Sequence, residues 1–382
     1  MATAHCLVLG GGFGGLAAAH RLHERLGDGA TITLIDRRGT FMMGLRILSV
    51  LVGQADRAGG TRSLDRLAQK GIRYLRDEVT VIDLDRKTVT TQDASLAYDA
   101  LVVALGAELA PENIPGFASH AFNVYDTQDV SRAAEALQQF RGGKITVGIF
   151  GAPYKCPPAP YEMVLLVKDF LRARGVRATL EVFTPQPMSL PILGRVGCDV
   201  IESRLAEAGI TFLPNHKATA VEAGEVVFAS GRRPYDLLLG VPPHRCPAPV
   251  QGSGLMDGGN WVRVNPRTLE TKFSGVYAVG DSVEIPTADG KPLPKAGVFA
   301  EAMGQVAAER IAATLAGQGA ETTFTGEGGC YLEVGNGQAM MVQGSFLAEP
   351  APQVTLTEPS RAYLEQKRAF EAERLQTWFA EM

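Results

Sequence analysis

The chain has 382 residues, which is long enough for two or three domains with sizeable cores. Hydrophobic residues make up 46% and charged residues 20% of the sequence, as in ordinary globular proteins, and the net charge of −4 gives no reason to expect a nucleic-acid partner. The sequence has no apolar run near the roughly 18 residues of a membrane span, and its five scattered cysteines lack the paired spacing of a zinc site, so we expect no metal.

The N-terminal segment has the pattern of a dinucleotide-binding turn. An apolar run leads into Gly10-Gly-Gly-Phe-Gly-Gly15, which contains the spacing G-x-G-x-x-G, and an alanine-rich helical pattern follows. Gly10 allows the tight turn, Gly12 lets the backbone approach a pyrophosphate, and Gly15 lets helix and strand pack closely. The next strand ends at Asp36, about 20 residues further on, where a carboxylate can accept a ribose hydroxyl. The sequence therefore predicts a bound dinucleotide.

A second glycine turn, at Gly151, lacks the features that bind a phosphate. Pro153 stands at the second glycine position and Cys156 at the third. Proline has no N–H to offer a phosphate, and its ring blocks close approach. The next strand ends in Thr184 rather than in an acid. We expect the fold of a nicotinamide domain with a cysteine in place of its phosphate cradle; the alternative is a degenerate repeat with a buried cysteine.

The two similar units predict an α/β protein with two Rossmann-like domains, the second inserted in the first, plus a small C-terminal region. We assign residues 1–109 and 245–320 to the first domain, 110–244 to the second and 321–382 to the C-terminal region. The last segment predicts an amphipathic helix from Arg361 to Met382. Packing or a homodimer contact is the simpler interpretation of this helix, and a peripheral membrane contact is the alternative. The first strand begins too close to Met1 for a signal peptide, so we expect a cytoplasmic protein, at most peripheral to the inner face of a membrane.

Four segments together resemble the flavoproteins with two dinucleotide domains, of the pyridine nucleotide-disulfide oxidoreductase type. They are the first glycine motif, residues 101–106, residues 271–281 and the helix that follows. The resemblance implies that the first domain holds FAD and that Asp281 binds the flavin ribityl chain. The predicted cofactor contacts are Gly10, Gly11, Gly12, Phe13, Gly14, Gly15, Asp36, Arg37, Val79, Ala104, Leu105, Gly106, Gly280, Asp281, Lys295 and Gly297.

Within that superfamily, three segments resemble the sulfide:quinone oxidoreductases and the flavoprotein subunit of flavocytochrome c sulfide dehydrogenase. They are residues 151–162, residues 294–297 and residues 328–331. The resemblance implies that Cys156 and Cys330 form a redox pair and that Lys295 lies near the flavin ring. The chain departs from many quinone-reducing members because residues 119–127 contain no third cysteine. Residues 40–49 also lack the cysteine that attaches FAD in the flavocytochrome subunit, so we expect noncovalent FAD.

The resemblance implies an enzyme that oxidises sulfide or a related small sulfur species and passes electrons through the flavin to a quinone or an electron-transfer protein. Sulfide can attack a disulfide, which gives a persulfide and a thiolate. Cys156 precedes a predicted helix, whose N-terminus should favour the thiolate, and Glu162 is a candidate proton carrier. Cys246 is the first substitute if the Cys156/Cys330 pairing is wrong.

The sequence leaves two other functions as alternatives. One is an NADH-oxidising flavoenzyme that reduces quinone, against which Pro153 and the missing acid argue. The other is a flavin-binding module without catalysis, against which the two cysteine segments argue.

Overall fold

The structure is a computed structural model that describes residues 3–380. Its first sheet has five strands, and each strand pairs in parallel with its neighbour. In sheet order the strands are Val276–Ala278, Ala100–Val103, Ala4–Leu9, Ala30–Ile35 and Arg73–Leu75. The central strands are apolar throughout, as expected for strands covered on both faces.

The second sheet is also parallel and five-stranded. In the sequence, its residues lie between the strands Ala100–Val103 and Val276–Ala278 of the first sheet. The strand order of the second sheet is Phe122–Asn123, Leu237–Val241, Gly143–Ile149, Ala178–Phe183 and Ile210–Leu213. Two Rossmann-like sheets, one inserted in the other, confirm the predicted α/β fold class. The exact domain boundaries stay predictions.

The helices begin and end close to where the sequence pattern placed them. For example, the helix predicted at 297–315 is Gly297–Leu315, and the helix predicted from Tyr161 begins two residues earlier, at Ala159. The helices are α1 (Phe13–Leu26), α2 (Ile47–Leu51), α3 (Phe117–His120), α4 (Asp129–Gln139), α5 (Ala159–Ala173), α6 (Gly194–Glu207), α7 (Ala248–Gln251), α8 (Gly297–Leu315) and α9 (Arg361–Phe379).

Smaller sheets complete the described part of the chain. A C-terminal antiparallel sheet contains Glu327–Gly335, Gln338–Ser345 and Gln353–Leu356, and α5 and α9 both pack against it. The other short strands are Thr40–Met42 with Thr61–Ser63; Val79–Asp83, Thr88–Thr91 and Ser95–Ala97; Glu108–Leu109 with His244–Arg245; Ala218–Glu222, Glu225–Phe228 and Gly231–Pro234; and Val262–Arg263 with Val283–Glu284.

The C-terminal helix α9 packs into the core of the first domain. Trp378 lies edge-on against Phe13 of the glycine motif and Phe41, with ring centroids 5.4 and 5.6 Å apart. Leu375, Trp378 and Phe379 are buried, so the apolar side of the end of α9 faces this core. The predicted helix end at Met382 lies outside the described residues. No helix in residues 3–380 is long and apolar enough to cross a membrane; a dimer or membrane contact through α9 stays a prediction.

Candidate active site

The first glycine turn has the shape of a phosphate cradle. Gly10 has a φ of 103°, and a Cβ there would lie 2.4 Å from the Ala104 carbonyl oxygen. A Cβ at Gly15 would lie 1.8 Å from the Gly10 carbonyl oxygen, so helix and strand approach closely only without side chains. At Gly12, by contrast, a Cβ would meet nothing within 4 Å. The open side of the turn at the start of α1 therefore fits the pyrophosphate of a dinucleotide.

Asp36 is tied directly to this turn. Its side chain is 6% exposed and accepts a hydrogen bond from the Gly11 N–H at 2.6 Å and from Arg38 Nη2 at 2.7 Å. Burial by itself would raise the pKa of Asp36, but the Arg38 guanidinium outweighs it and holds this pKa below its usual range. Asp36 is thus an ionised acceptor beside the glycine turn, and its contact with a ribose stays a prediction. Arg38 is a neighbour that the sequence pattern did not indicate.

The predicted contacts at Arg37 and Val79 receive less support from the geometry. Arg37 is largely exposed and forms an ion pair with Glu78 at 2.8 Å. Val79 is buried at the start of its strand, opposite Thr91. Both assignments stay predictions.

The second half of the cofactor site comes from residues 280–297. Asp281 lies in a turn that follows the strand Val276–Ala278, and Gly280 takes a φ of 72° in that turn. Lys295 is 7% exposed, and its ammonium donates to the carbonyl oxygens of Asp281 at 2.6 Å and Val283 at 3.1 Å. Burial lowers the pKa of Lys295 to about 8, although Asp281 opposes the shift, and burial raises the pKa of Asp281. Lys295 is buried and Asp281 is half-buried, and the resemblance assigns these two residues to the flavin ring and ribityl chain.

Close helix packing joins the two halves of this site. A Cβ at Gly304 in α8 would lie 2.2 Å from the Gly14 carbonyl oxygen in α1, and a Cβ at Gly297 would lie 3.2 Å from the Phe13 ring. The N-termini of both helices therefore meet at the glycine motif. The residues present fit FAD, with Gly12 and Asp36 at the nucleotide end and Asp281 and Lys295 at the flavin end.

Cys156 is held against the flavin end by its own backbone. Its N–H donates to the Lys295 carbonyl oxygen at 2.7 Å, and its carbonyl oxygen accepts from the Tyr125 hydroxyl at 3.1 Å. The residue has a φ of 51°, in the left-handed region that favours glycine. The altered turn thus brings a half-buried thiol to the segment that carries Lys295, as the resemblance implied.

Cys330 lies in the strand Glu327–Gly335 and, like Cys156, is a half-buried free thiol. Burial raises the pKa of Cys330 to about 11, and Glu162 raises it further while Lys367 opposes. Burial also raises the pKa of Cys156, and the negative charge of Cys330 adds to that shift. The two thiols thus share one electrostatic environment, whereas their pairing stays a prediction. Burial favours the neutral thiol of Cys156 and so acts against the expected effect of the start of α5; the stabilised thiolate stays a prediction.

A buried charge cluster lies beside the thiols. Lys367 of α9 donates to the Glu162 carboxylate of α5 and, at 2.7 Å, to Oε1 of Glu333 in the C-terminal sheet. All three side chains are at most 5% exposed. Burial raises the pKa of Glu162 above its usual range, although Lys367 opposes the shift, and the two carboxylates raise the pKa of Lys367. The sequence pattern indicated Glu162 alone; Lys367 and Glu333 were missed because they lie about 200 and 170 residues away along the chain.

Lys155 and His244 complete this side of the site. They follow the parallel strands Gly143–Ile149 and Leu237–Val241 at their carboxyl ends, where ligands bind in such sheets. His244 stacks edge-on to Tyr125 at 5.9 Å, and burial together with Lys155 lowers its pKa to about 3. Among residues 3–380, the His244 Nε2 atom is buried without a hydrogen-bond partner. Burial also lowers the pKa of Lys155.

Cys246, the substitute for the redox pair, lies apart from the charge cluster. Its side chain is 1% exposed, and its Sγ is 4.0 Å from the Ser282 carbonyl oxygen. The buried Cys6 and Cys198 lie in a strand and in a helix, respectively.

Comparisons with known proteins agree with this geometry. The family model described as pyridine nucleotide-disulphide oxidoreductase matches residues 4–304. The chain is similar to the mitochondrial sulfide:quinone oxidoreductase of Mus musculus, with 24% identity over 90% of this chain and 78% of that protein. It is also similar to the demethylphylloquinone reductase of Synechocystis, with 26% identity over 75% of this chain and 74% of that protein.

Among solved structures, the sulfide:quinone oxidoreductase of Aquifex aeolicus superposes with a TM-score of 0.89 and 23% identity, over 98% of this chain and 91% of that one. This likeness confirms the fold. Because the family model covers most of the sequence, including both glycine turns, the chain belongs to the pyridine nucleotide-disulphide oxidoreductase family and is an FAD-dependent oxidoreductase.

Proposed function

We propose that the protein oxidises sulfide or a related small sulfur species through Cys156 and Cys330 and passes the electrons through noncovalently bound FAD to a quinone or another acceptor. The observation that carries this proposal is the altered second glycine turn. It presents a thiol, hydrogen-bonded through its backbone to the Lys295 segment, where a nicotinamide domain would hold a phosphate. The names of the mouse and Aquifex relatives support the sulfur substrate and the quinone.

The proposed chemistry begins with a Cys156–Cys330 disulfide. Hydrosulfide attacks one sulfur, so that the S–S bond breaks, a persulfide S–S bond forms on the attacked cysteine and the other cysteine leaves as a thiolate. A second hydrosulfide then takes the outer sulfur as hydrodisulfide and leaves two cysteine thiolates, which lose two electrons and form the Cys156–Cys330 bond again. In the complete reaction two hydrosulfide ions thus give one hydrodisulfide ion, one proton and two electrons. FAD, when bound, accepts those two electrons and releases them to the acceptor.

The residues of the chain have separate tasks in this scheme. Glu162 receives the proton, because burial raises its pKa above its usual range and Lys367 holds its carboxylate in place. Lys295 keeps positive charge beside the flavin end of the site. Lys155, next to Cys156, adds a second cation near the position of the anionic substrate. Glu162 is therefore a proton acceptor whose charge is felt by both thiols.

Anaerobic titration of the flavin-loaded protein tests the proposal. Sulfide should bleach the flavin absorbance with a stoichiometry of two electrons per FAD, whereas NADH should not. Rapid bleaching by NADH alone would favour the NADH-oxidising alternative, and failure of every sulfur donor would favour a noncatalytic flavin-binding module.

A further inference from the structure

A cleft lined by arginines lies between α9 and the segment 46–66. Its volume is about 770 Å³, and its walls include Arg46, Arg62, Arg66, Arg368 and Glu371. Gly12, Asp36 and Asp281 do not line it, so the cleft is separate from the cofactor site. Its size falls in the roughly 300–1,000 Å³ range of small-molecule sites.

Among the described residues that line the cleft, there is one ion pair, and three arginines have no carboxylate partner. Arg46 Nε donates to Glu371 Oε1 at 2.5 Å, and both side chains are mostly buried, at 22% and 13% exposure. Arg62 donates to the carbonyl oxygens of Gly59 and Thr61, and Arg66 to that of Phe379 at the end of α9. Within residues 3–380, Arg62, Arg66 and Arg368 have no carboxylate within 4.0 Å.

The backbone is shaped to hold Arg46 in this position. A Cβ at Gly60 would lie 2.6 Å from both Cδ and Nε of Arg46, and a Cβ at Gly59 would lie 2.8 Å from Nη1. The two glycines therefore allow the guanidinium to cross the loop and reach Glu371. This contact fixes one wall of the cleft to α9.

Guanidinium groups that line one cleft repel one another, and an anion in the cleft relieves this repulsion. Each guanidinium presents a planar set of donors that matches phosphate oxygens in pairs, so several of them favour a ligand with more than one phosphate. The excess of positive charge is local, because the whole chain carries a net charge of −4. Charge complementarity and volume both point to a small polyphosphate ligand.

We propose that this cleft is a second binding site, which takes a small molecule bearing at least two phosphate groups. The cleft binds it through Arg62, Arg66 and Arg368, while the Arg46–Glu371 pair forms the wall. The site is independent of the proposed sulfur chemistry, since none of its residues belongs to the cofactor site or to the thiol cluster.

The test is a calorimetric titration of the flavin-loaded protein with inorganic phosphate, pyrophosphate and ATP, without divalent metal. We expect pyrophosphate and ATP to bind more tightly than phosphate. The double variant R62Q/R368Q should weaken their binding at least tenfold. The matched control R86Q/R132Q removes two charges from exposed arginines elsewhere, at 84% and 72% exposure, and should leave binding unchanged. Flavin content and thermal midpoint verify that each variant is folded.

Three results would overturn this proposal. One is the absence of heat with all three probes. Another is an equal loss of affinity in the control variant, which would show only an effect of net charge. The third is binding to vesicles of anionic phosphatidylglycerol, but not to pyrophosphate or ATP, that depends on Arg62 and Arg368; this would assign the cleft to a lipid headgroup at a membrane surface.

Discussion

Cys156 is a residue whose conformation is decided by its neighbours. A non-glycine residue with a φ of 51° carries a backbone cost of about 1–3 kcal/mol. The Lys295 carbonyl and the Tyr125 hydroxyl hold the two backbone groups of Cys156, and both partners come from distant parts of the chain. The backbone of Cys156 is therefore fixed before any substrate arrives, which would help to position the thiol in the proposed reaction.

The redox pair gives the first prediction at this scale. The variants C156S and C330S should each reduce the flavin with sulfide about a hundredfold more slowly, or worse, because loss of one member of a catalytic unit removes the activity of the whole unit. FAD content should not change. The control is Cys198→Ser, since Cys198 is buried in α6, where its thiol contacts the Leu190 carbonyl oxygen. Stopped-flow absorbance measures the rates. A fully active C330S variant would exclude the pair and make Cys246 the next cysteine to replace.

The pH dependence of Glu162 gives a second prediction. Because burial raises its pKa, Glu162 should bind a proton and cease to act as a base at a higher pH than an ordinary glutamate. Flavin reduction should fall as the pH decreases through that raised pKa. E162Q should be slower by about a hundredfold and should lack this acid limb. Sulfide ionisation affects both proteins equally, so the ratio of their rates isolates Glu162.

The control for this experiment is E365Q, which changes an exposed glutamate of α9. It should keep the rate and the acid limb of the unmodified protein. A ratio of rates between the unmodified protein and E162Q that does not vary with pH would remove Glu162 from the proton path.

At the scale of elements, α9 contacts one part of the fold through a buried lysine and another through a tryptophan. Lys367 reaches Glu162 on α5 and Glu333 in the C-terminal sheet, while Trp378 packs on Phe13 of the first domain. A buried cation between two carboxylates is costly to assemble and more costly to break. The helix is therefore anchored by charge at its centre and by aromatic packing at its end.

We expect K367M to lose about 3–5 kcal/mol of stability, because it leaves two buried carboxylates without a cation. The double variant K367M/E162Q should recover part of the loss, since one of those carboxylates is then neutral. E365Q should stay within about 0.5 kcal/mol of the unmodified protein. Thermal unfolding followed by circular dichroism compares them. Equal midpoints for K367M and the unmodified protein would show that the cluster is not a structural anchor.

The second glycine turn gives a prediction about NADH. We expect NADH and NADPH to reduce the flavin slowly or not at all, because Pro153 and Cys156 replace the glycines that would admit a pyrophosphate. Anaerobic stopped-flow mixing measures the rate, and dithionite serves as the control that the flavin is reducible. Fast flavin reduction whose rate saturates with the NADH concentration would show that the second domain binds nicotinamide nucleotides.

At the scale of the whole molecule, the cofactor site forms where two separated parts of the chain meet. The strands Ala4–Leu9 and Val276–Ala278 belong to one sheet, although the complete second sheet lies between them in sequence. Close contact of α1 with α8, and of α8 with the turn that contains Asp281, brings the glycine motif and this turn into one region of the fold. The inserted residues therefore do not interrupt the first sheet, which forms from the parts of the chain before and after them.

We expect FAD to be held without a covalent bond, because residues 40–49 contain no cysteine. Acid precipitation should release yellow flavin into the supernatant, and flavin that stays with the precipitate would contradict this. D281A should weaken FAD binding by about tenfold or more, since it removes a charged acceptor. D289A, which changes a surface turn, should retain its FAD.

The sequence by itself determined the elements whose signals are local. Gly10, Gly12, Gly15 and Asp36 predicted a tight strand–turn–helix unit, and the structure has one there, because backbone clearance and the spacing of strand, turn and helix depend on neighbouring residues. The apolar runs predicted two parallel sheets for the same reason, and Pro153 marked the altered turn.

Only the tertiary structure decided which side chains meet across the fold. The Lys367 cluster, the contact of Cys156 with Lys295 and the arginine cleft each join residues that are distant in sequence, and no periodic pattern encodes such pairs. Burial also acts on Cys156: its position before α5 predicts a stabilised thiolate, whereas desolvation in the folded interior raises the pKa of its thiol. Desolvation depends on everything that surrounds a group, and therefore exists only once the chain has folded.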